Sequence, residues 1–328
     1  VVARFDSGQP GRTLQFNGHL DTVHLPYAAP TVEDGVLTGS GAADMKGGIA
    51  AAVEAVRSLR DTGALGGGGI LLTAHDHHEA PWGDGRQAEA LIREGFVGDG
   101  VLIPEYLADR LPGAGRGMAV FDIRLLRSGV PVHEVLRPAD TPDLVAAGAE
   151  MVSQLKALDE ELASSRHPVS GRESTFVGQF EAGEIFNQAP VQCRLQGTRR
   201  WIASGQGEPA GERIRDLVDT VARRHGVRAE VDYQVVGEAF ELDADSALVQ
   251  AFQGASTRVS GQPLPWGDKP FLDDGNRFCH GAGVPSITHG PASTGAHTHH
   301  ERVAVSELVR TAGVYATTAL HFCPVKPA

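Results

Sequence analysis

The sequence predicts an α/β fold that is interrupted by an inserted α+β domain, and two observations support this prediction. First, short apolar runs alternate with helical patterns in the first part of the chain, as in a parallel α/β sheet. Second, from residue 118 the predicted order becomes strand, helix, strand, strand, helix, strand, which describes a ferredoxin-like unit of roughly 120 residues. Helix and strand alternate again after this unit. We therefore expect one domain formed by residues 1–114 and 238–328, interrupted by a second domain at 115–237.

Glycine-rich turns separate the elements of the first part. Residues 70–74 form a short apolar run suited to a buried parallel strand. Gly47-Gly48 opens a helix in which we expect four apolar residues at helical spacing to lie close to one face. These residues are Ile49, Val53, Val56 and Leu59. The predicted elements are a strand at 13–16, a helix at 49–60, a strand at 70–74, a helix at 87–94 and a strand at 100–104.

The remaining predicted elements lie in the insert and the last part. In the insert we expect strands at 118–126, 175–180, 191–199 and 228–236, with helices at 143–158 and 208–225. After the insert we expect a helix at 246–259, a strand at 285–288 and a closing helix at 305–320.

Charge and hydropathy exclude several classes of partner. The 328 residues include 41 acidic and 29 basic ones, a formal net charge of −12, and no Lys/Arg run reaches five residues. Such a surface repels phosphate backbones and anionic lipids, so we expect neither nucleic acid nor a membrane as a partner. No stretch approaches the roughly 18 consecutive apolar residues that span a bilayer.

The cysteines and the amino-terminal residues give indications about the cellular compartment of the protein. Cys193, Cys279 and Cys323 are scattered and odd in number, so they predict neither a disulfide framework nor a cysteine metal site. A reducing cytoplasm is the simplest location. The sequence begins at Val1 without methionine or a visible signal peptide, and we expect that an amino-terminal segment is missing or has been processed.

His19-Leu20-Asp21 follows the first predicted strand. Residues i and i+2 of an extended segment point to the same side, so Asp21 is placed to hydrogen-bond one ring nitrogen of His19 or to reach a site directly. A carboxylate–histidine–metal arrangement fixes the tautomer of the ring and raises its basicity. The structural alternative is a surface histidine beside a turn.

Asp44 lies between glycines, in the segment 41–48, directly before a predicted helix. The structural alternative is a helix N-cap, which satisfies free backbone amides. The flanking glycines favour a special role, because they permit close backbone approach and unusual dihedral angles. Lys46-Gly47-Gly48 lacks the glycine spacing of a phosphate-binding loop.

Polar residues follow two buried-type strands. His75-Asp76-His77-His78-Glu79 follows the strand at 70–74, and Glu105 follows the strand at 100–104. Ligands of open α/β sheets bind beyond the carboxyl ends of strands. The structural alternatives are a solvated loop for the first group and an ordinary loop acid for Glu105.

The segment 295–301 holds three histidines and Glu301 before the closing helix. A helix-capping role would explain Glu301 but not the histidines. Taken with the groups at the strand ends, the chain offers nitrogen and oxygen ligands without cysteine. Such a set suits Zn²⁺, Co²⁺ or Mn²⁺ in an open catalytic site.

These motifs resemble those of the zinc aminoacylase and carboxypeptidase G family, which also contains acetylornithine deacetylase and succinyl-diaminopimelate desuccinylase. The segments 18–23 and 41–48 are similar to the family's first and second metal motifs, and the resemblance runs from about Leu14 to Leu320. It implies a metallopeptidase-like α/β catalytic domain with an inserted ferredoxin-like α+β lid/dimerisation domain. It further implies a metal-dependent amidohydrolase or exopeptidase that cleaves a small N-acyl amino acid or short peptide.

The resemblance also implies a site with two divalent ions, zinc before cobalt or manganese. His19 and His297 would each bind one ion, Asp44 would bridge them, and Glu105 would complete one shell. Asp21 would steady the environment of His19. A bridging carboxylate must be aimed unusually, and we expect a cis Asp44-Met45 peptide bond.

Further residues would bind substrate if the resemblance holds. The segment 129–133 is similar to the family's loop that ends in a histidine, here His133, which commonly reaches the substrate across a homodimer. Asn187 begins a turn similar to the family's Asn-x-x-Pro turn. Arg199 or Arg200 falls where an arginine grips the substrate carboxylate, a task that suits its bidentate geometry.

The sequence departs from the family at the third strand, where relatives show Asp-Glu-Glu. Here the segment offers His78-Glu79, with Asp76-His77 as the less favoured alternative. Glu79 is expected to be the functional acid, either as the general base or as a metal ligand, and His78 would fill the other role. Because of this departure, a catalytically impaired relative that acts as a binding or assembly module is the alternative. A serine hydrolase is disfavoured because no Gly-x-Ser-x-Gly motif exists.

Overall fold

A computed structural model describes residues 1–79 and 83–324, and the chain folds into two compact units. Unit 1 combines Val1–Gly115 with the chain from Glu241 onward, and unit 2 is Arg116–Phe240. The helices are α1 (Lys46–Thr62), α2 (Arg86–Arg93), α3 (Leu144–Leu162), α4 (Gly207–His225), α5 (Ala247–Ser260), α6 (Asp274–Arg277) and α7 (Val305–Phe322).

The strands of three or more residues begin with β1 (Val2–Asp6), β2 (Thr13–His19), β3 (Thr31–Glu33), β4 (Val36–Thr38), β5 (Gly69–His75), β6 (Gly100–Ile103) and β7 (Leu111–Gly115). They continue with β8 (Gly117–Leu126), β9 (Ser174–Ala182), β10 (Gln192–Trp201), β11 (Arg228–Gly237), β12 (Trp266–Lys269), β13 (Ser286–Thr288) and β14 (Arg302–Ala304). Every helix and strand that the sequence predicts is present, with ends shifted by a few residues. The sequence missed β3, β4, β7, β12, β14 and α6.

Unit 1 is built on a five-stranded sheet with the order β1-β5-β2-β6-β13. The inner pairs are parallel, and β1 adds an antiparallel edge. Leu14, Phe16 and Leu102 are fully buried on these strands, as expected of strands covered on both faces. The predicted α/β architecture is confirmed.

Helix α1 packs partly through small residues, and on the predicted apolar face Leu59 is buried, Ile49 and Val56 are half-buried, and Val53 is exposed. The buried residues of the helix include Ala51, Ala52, Ala55 and Leu59, whereas Val53 is 39% exposed. Small residues let the helix backbone approach the sheet closely. At Gly48 an added Cβ would lie 1.9 Å from the carbonyl oxygen of Pro104, so no other residue fits there without movement.

Unit 2 has the predicted strand–helix–strand–strand–helix–strand order, and its antiparallel sheet runs β9-β10-β8-β11. This is the ferredoxin-like arrangement, which is confirmed. One core joins the sheet to α3 and α4 and includes Phe121, Met151, Leu195, Ile214 and Val218.

Among the described residues, no helix has the length and hydropathy needed to cross a bilayer.

Candidate metal centre

The candidate site of unit 1 lies where its parallel strands end. β2 ends at His19 and β5 ends at His75, and these residues are register partners. Glu79 follows β5, and Glu105 follows β6 on the other side of β2. Because the strands are parallel, their polar carboxyl ends meet at one edge of the sheet.

Asp44 and His19 form the first half of the site. Nε2 of His19 lies 3.2 Å from Oδ1 of Asp44 and 3.6 Å from Oε1 of Glu105. All three side chains are buried. A nitrogen and two carboxylate oxygens at this spacing form one possible set of metal ligands.

The other oxygen of Asp44 faces a second histidine. Oδ2 of Asp44 lies 2.9 Å from Nε2 of His297, which is also 3.4 Å from Oε1 of Glu79. His297 has a left-handed φ of 63° in the loop that joins the paired segments Ser293–Thr294 and Arg302–Ala304. Backbone conformations of this kind cluster at functional sites. The two oxygens of Asp44 thus face different histidines, and the ligand atom of Glu79 also lies within 4.8 Å of those of His19 and Asp44.

The backbone at Asp44 is held by Glu301. The Asp44-Met45 peptide bond is cis, as expected. Oε2 of Glu301 accepts hydrogen bonds from the backbone amides of Ala43 and Asp44, each at 3.0 Å. Both capping alternatives are wrong, because Met45 is the N-cap residue of α1 and Ala304 that of α7.

Asp21 contacts both His19 and the loop after β5. Its Oδ1 lies 3.6 Å from Nδ1 of His19, and its Oδ2 accepts backbone hydrogen bonds from His78 at 3.0 Å and Glu79 at 2.9 Å. Burial raises the pKa of Asp21, but the contacts with His19 and the two amides outweigh burial, so the pKa is lowered. An ionised Asp21 therefore fixes the loop that carries Glu79.

Glu105 is buried where two backbone segments meet. An added Cβ at Gly290 would lie 2.2 Å from the carbonyl oxygen of Glu105. Burial, together with the charge of Asp44, raises the pKa of Glu105 to about 7. Two carboxylates held this close call for a cation between them.

His78 stacks on His19. The ring centroids are 4.1 Å apart and the planes differ by 3°. His19, His78 and Glu105 also form a group whose ligand atoms lie within 4.8 Å of one another. A metal lies close to the plane of the imidazole that binds it, so two parallel stacked rings cannot both aim a lone pair at one ion. This geometry favours one histidine of the pair as a ligand.

The electrostatics of the group fit divalent cations. Burial lowers the pKa of His19, but the nearby carboxylates of Asp21, Asp44 and Glu105 outweigh burial and raise that pKa well above its ordinary value. Hydrogen bonds with Asp44 and Glu79 raise the pKa of His297 to about 10. Positive charge is therefore favoured at both histidines. Two divalent ions would supply that charge, with neutral imidazoles and carboxylates as ligands suited to zinc.

The substrate-binding candidates all lie in unit 2. Nδ2 of Asn187 lies 3.0 Å from Nε2 of His133, and the adjacent segment Gln188–Ala189 pairs antiparallel with Val132–His133. Arg199 is buried and forms an ion pair with Glu173. Arg200 points to the opposite face of β10, and its side chain forms no hydrogen bond or ion pair within the described part of the chain. Burial and the nearby Arg116 lower the pKa of Arg200.

Sequence reasoning missed Asp274, which α6 places beside the loop after β5. Its Oδ2 lies 2.8 Å from Nε2 of His75 and 3.3 Å from Nδ2 of Asn17, and its Oδ1 lies 3.5 Å from Nδ1 of His78. Burial raises the pKa of Asp274, but His78 and His75 lower it to well below its ordinary value. The pair Asp273-Asp274 before a glycine was the available indication.

Comparisons with known proteins agree with this geometry. Residues 15–321 match the family model described as Peptidase family M20/M25/M40. Succinyl-diaminopimelate desuccinylases of Gluconacetobacter diazotrophicus and Hahella chejuensis are 28% and 27% identical over 330 and 327 residues. Each alignment covers 94% of this chain, with 81% and 82% of the two relatives.

Solved structures share the fold at lower sequence identity. Aminopeptidase PepT of Bacillus cereus superposes with a TM-score of 0.80 at 19% identity, covering 98% of this chain and 84% of that one. Human carnosine dipeptidase 1 has a TM-score of 0.73 at 14% identity, covering 98% and 82%.

Proposed function

We propose that this chain, which belongs to Peptidase family M20/M25/M40, hydrolyses a small N-acyl amino acid or short peptide. Members of this family are metallohydrolases that act on peptide or amide C–N bonds, and this chain is one of them. One observation supports a two-metal site above all. The two carboxylate oxygens of Asp44 face different histidines, His19 and His297. A carboxylate in this position is suited to bridge two ions.

We assign one ligand set to each ion. His19, Asp44 and Glu105 would hold the first, and His297, Asp44 and Glu79 the second. The distance of 3.4 Å between Glu79 and His297 supports the ligand role of Glu79, which the sequence left open. Zinc fits these nitrogen and oxygen ligands best, and cobalt or manganese would also fit.

His78 is the proposed general base. Its stacking on His19 argues against a ligand role, while its Nε2 lies 3.9 Å from Oε1 of Glu105, at the edge of the ligand group. When bound, the ions would polarise the scissile carbonyl and lower the pKa of water. His78 would accept the proton of the attacking water and return it to the leaving nitrogen as the C–N bond breaks. The products are a carboxylate and an amine.

The supporting roles follow from the contacts of Asp21 and Arg200. Asp21 would hold the ring of His19 and the loop of His78 and Glu79, because it contacts all three. Arg200 is the stronger candidate for the substrate carboxylate, because Arg199 is already paired with Glu173. His133 and Asn187 would form further substrate contacts, with His133 a donor to the developing oxyanion.

The substrate class and assembly are proposed more broadly. The similar proteins named above include a desuccinylase, an aminopeptidase and a dipeptidase, and each cleaves an amide or peptide bond according to its name. We therefore propose an acylated amino acid or a short peptide without choosing the acyl group. A homodimer is the proposed assembly.

A catalytically impaired relative that serves as a binding module is the second candidate. It is favoured by one feature of the sequence, which offers His78-Glu79 where the resemblance implies two adjacent carboxylates. Turnover by the metal-loaded protein would exclude it.

The test combines metal analysis with a substrate panel. The purified protein is incubated with Zn²⁺, Co²⁺ or Mn²⁺, freed of excess metal and assayed on N-acetyl and N-succinyl amino acids and dipeptides. We expect two ions per chain and hydrolysis of at least one substrate class. Two bound ions without turnover on the panel would favour the binding module, and absence of bound metal would refute both ligand sets.

A further inference from the structure

We propose that Asp274 is a positioning residue that orients His78, holding Nδ1–H toward itself and the Nε2 lone pair toward the ligand group of Asp44 and Glu105. This inference rests on the proposed role of His78 as the general base. It assigns to the acid of α6 the task that an aspartate performs behind a histidine in other hydrolases, where it fixes tautomer and orientation without reacting itself.

The carboxylate of Asp274 is itself held in place. Oδ2 of Asp274 lies 2.8 Å from Nε2 of His75 and 3.3 Å from Nδ2 of Asn17. Both residues belong to strands of the unit 1 sheet. Asp274 is 2% exposed. A carboxylate fixed through one oxygen by two strands offers its other oxygen in a defined direction.

That other oxygen faces His78. Oδ1 of Asp274 lies 3.5 Å from Nδ1 of His78, while Nε2 of the same ring lies 3.9 Å from Oε1 of Glu105. The flat face of the ring is covered by His19. The ring is therefore constrained by Asp274 at one edge and by stacking on its face, and the opposite edge faces the ligand group.

The tautomer follows from these contacts. A carboxylate is an acceptor only, so Nδ1 carries the proton where it faces Asp274, and the more distant Glu105 makes no such demand on Nε2 once its carboxylate holds an ion. In a neutral imidazole the other nitrogen then has a free lone pair, which is what a general base requires. Without Asp274 both tautomers and other ring orientations become accessible, and the proton-accepting arrangement is populated only part of the time.

Asp274→Asn tests the tautomer directly. Two donors, from His75 and Asn17, lie within 3.3 Å of Oδ2 of Asp274, whereas Nε of Arg277 lies farther from Oδ1, at 3.8 Å. The amide oxygen of the new asparagine should therefore take the place of Oδ2, and its NH₂ group should face Nδ1 of His78. Nδ1 would then act as the acceptor, and Nε2 would carry the proton. The base would be present in the wrong tautomer.

The experiment measures kcat, KM and bound metal for Asp274→Asn, His78→Ala and the double variant. We expect kcat of Asp274→Asn to fall by roughly 10²-fold or more, since general-base catalysis contributes about 10²–10⁴-fold. KM should stay within a few-fold and both ions should remain bound. In the His78→Ala background Asp274→Asn should cause no further loss, because it acts through a base that is already absent.

The neighbouring Asp273 provides a matched control for damage to this turn. It is equally buried and pairs with Lys269 at 2.6 Å and Thr288 at 2.5 Å. Asp273→Asn should lower the stability of the protein. Its kcat, calculated per folded molecule, should equal that of the wild type. Losses that multiply in the double variant, a kcat of Asp274→Asn near wild type, or loss of metal from that variant would each overturn the inference. A wild-type activity of His78→Ala would instead refute the proposed role of His78.

A measurement on the unsubstituted protein covers the case in which Asp274→Asn does not fold. The ¹⁵N spectrum of histidine side chains distinguishes protonated from unprotonated ring nitrogens, and the His78 resonances are those missing from His78→Ala. In the zinc-loaded protein we expect a protonated Nδ1 and an unprotonated Nε2 at neutral pH. The reverse assignment would contradict the inference whatever the kinetics show.

Discussion

The imidazole rings of His19 and His78 are parallel, with centroids 4.1 Å apart and planes that differ by 3°. This stacking divides the roles of two histidines that lie equally close to Glu105. His19 reaches Asp44 as well, at 3.2 Å, and is the ligand of the pair. His78 contacts Asp274 instead, which leaves its Nε2 for proton transfer.

Substitution of Asp44 should abolish the binding of both metal ions. Because its two oxygens serve two ligand sets, Asp44→Ala should bind neither ion. Elemental analysis after dialysis should fall from two ions per chain to none. Asp76→Ala, at an exposed acid of the loop after β5, is the control and should keep both. One ion retained by Asp44→Ala would rule out the bridge.

Metal binding should release protons at neutral pH. The pKa of His19 is raised well above its ordinary value and that of His297 to about 10, so in the metal-free protein both rings are protonated at pH 7. Ligands must be deprotonated, so loading should release about two protons, with a further fraction from Glu105, whose pKa is about 7. Calorimetry in buffers of different ionisation enthalpy counts them, and affinity should weaken as pH falls. A pH-independent affinity would argue against these ligands.

Substitution of Arg199 should affect stability, whereas substitution of Arg200 should affect substrate binding. Arg199→Ala leaves Glu173 with no partner in a largely buried position, a change that costs roughly 3–5 kcal/mol for buried pairs. It should lower the melting temperature. Arg200→Ala should leave stability near wild type and raise KM by roughly tenfold or more, as expected when a charged hydrogen bond is lost. A raised KM in Arg199→Ala alone would reverse the assignment.

His289 should weaken the protein in acid. Both ring nitrogens are buried and have no hydrogen-bond partner among the residues that the structure describes, and the ring packs on Phe252 and Tyr315. Burial, helped by Arg310, lowers its pKa to about 3. Between that value and about 6.5 the unfolded chain binds one more proton, so stability falls as pH falls, by about 1.4 kcal/mol per unit.

His289→Phe should remove this contribution while keeping the aromatic contacts. Urea unfolding between pH 8 and pH 5 should show a shallower loss of stability in the variant than in wild type. The same substitution at the exposed His321 should leave the slope unchanged. Parallel curves for wild type and His289→Phe would show that His289 is not the group responsible.

The sequence predicted the helices and strands that have a clear hydrophobic pattern. It did not predict the tertiary contacts that orient the side chains of the site. Strands β2, β5 and β6 were predicted because they are apolar runs, and their polar ends indicated the site. Asp274 could not be placed, because its contacts with Asn17 and His75 join residues far apart in the chain. The role of Glu301 was misread for the same reason, since its partners are the amides of Ala43 and Asp44.

The buried face of α1 shows a different limit. Helical spacing grouped Val53 with Ile49, Val56 and Leu59, yet Val53 is 39% exposed, while Ala51, Ala52 and Ala55 are buried. Hydropathy alone ranks valine above alanine as a core residue. The close approach of Gly48 to Pro104 selects the face that carries small residues, and that distance is a tertiary property which no local pattern contains.

The central claim is that Glu79 binds metal and His78 is the base, and paired variants test it most directly. Bound metal and turnover are measured for Glu79→Gln and His78→Ala on the same substrate. We expect Glu79→Gln to lose one of the two ions or to bind it more weakly. We expect His78→Ala to keep both ions and to lose roughly 10²–10⁴-fold in kcat. If Glu79→Gln were inactive with both ions bound while His78→Ala lost metal, the two roles would be reversed and the account contradicted.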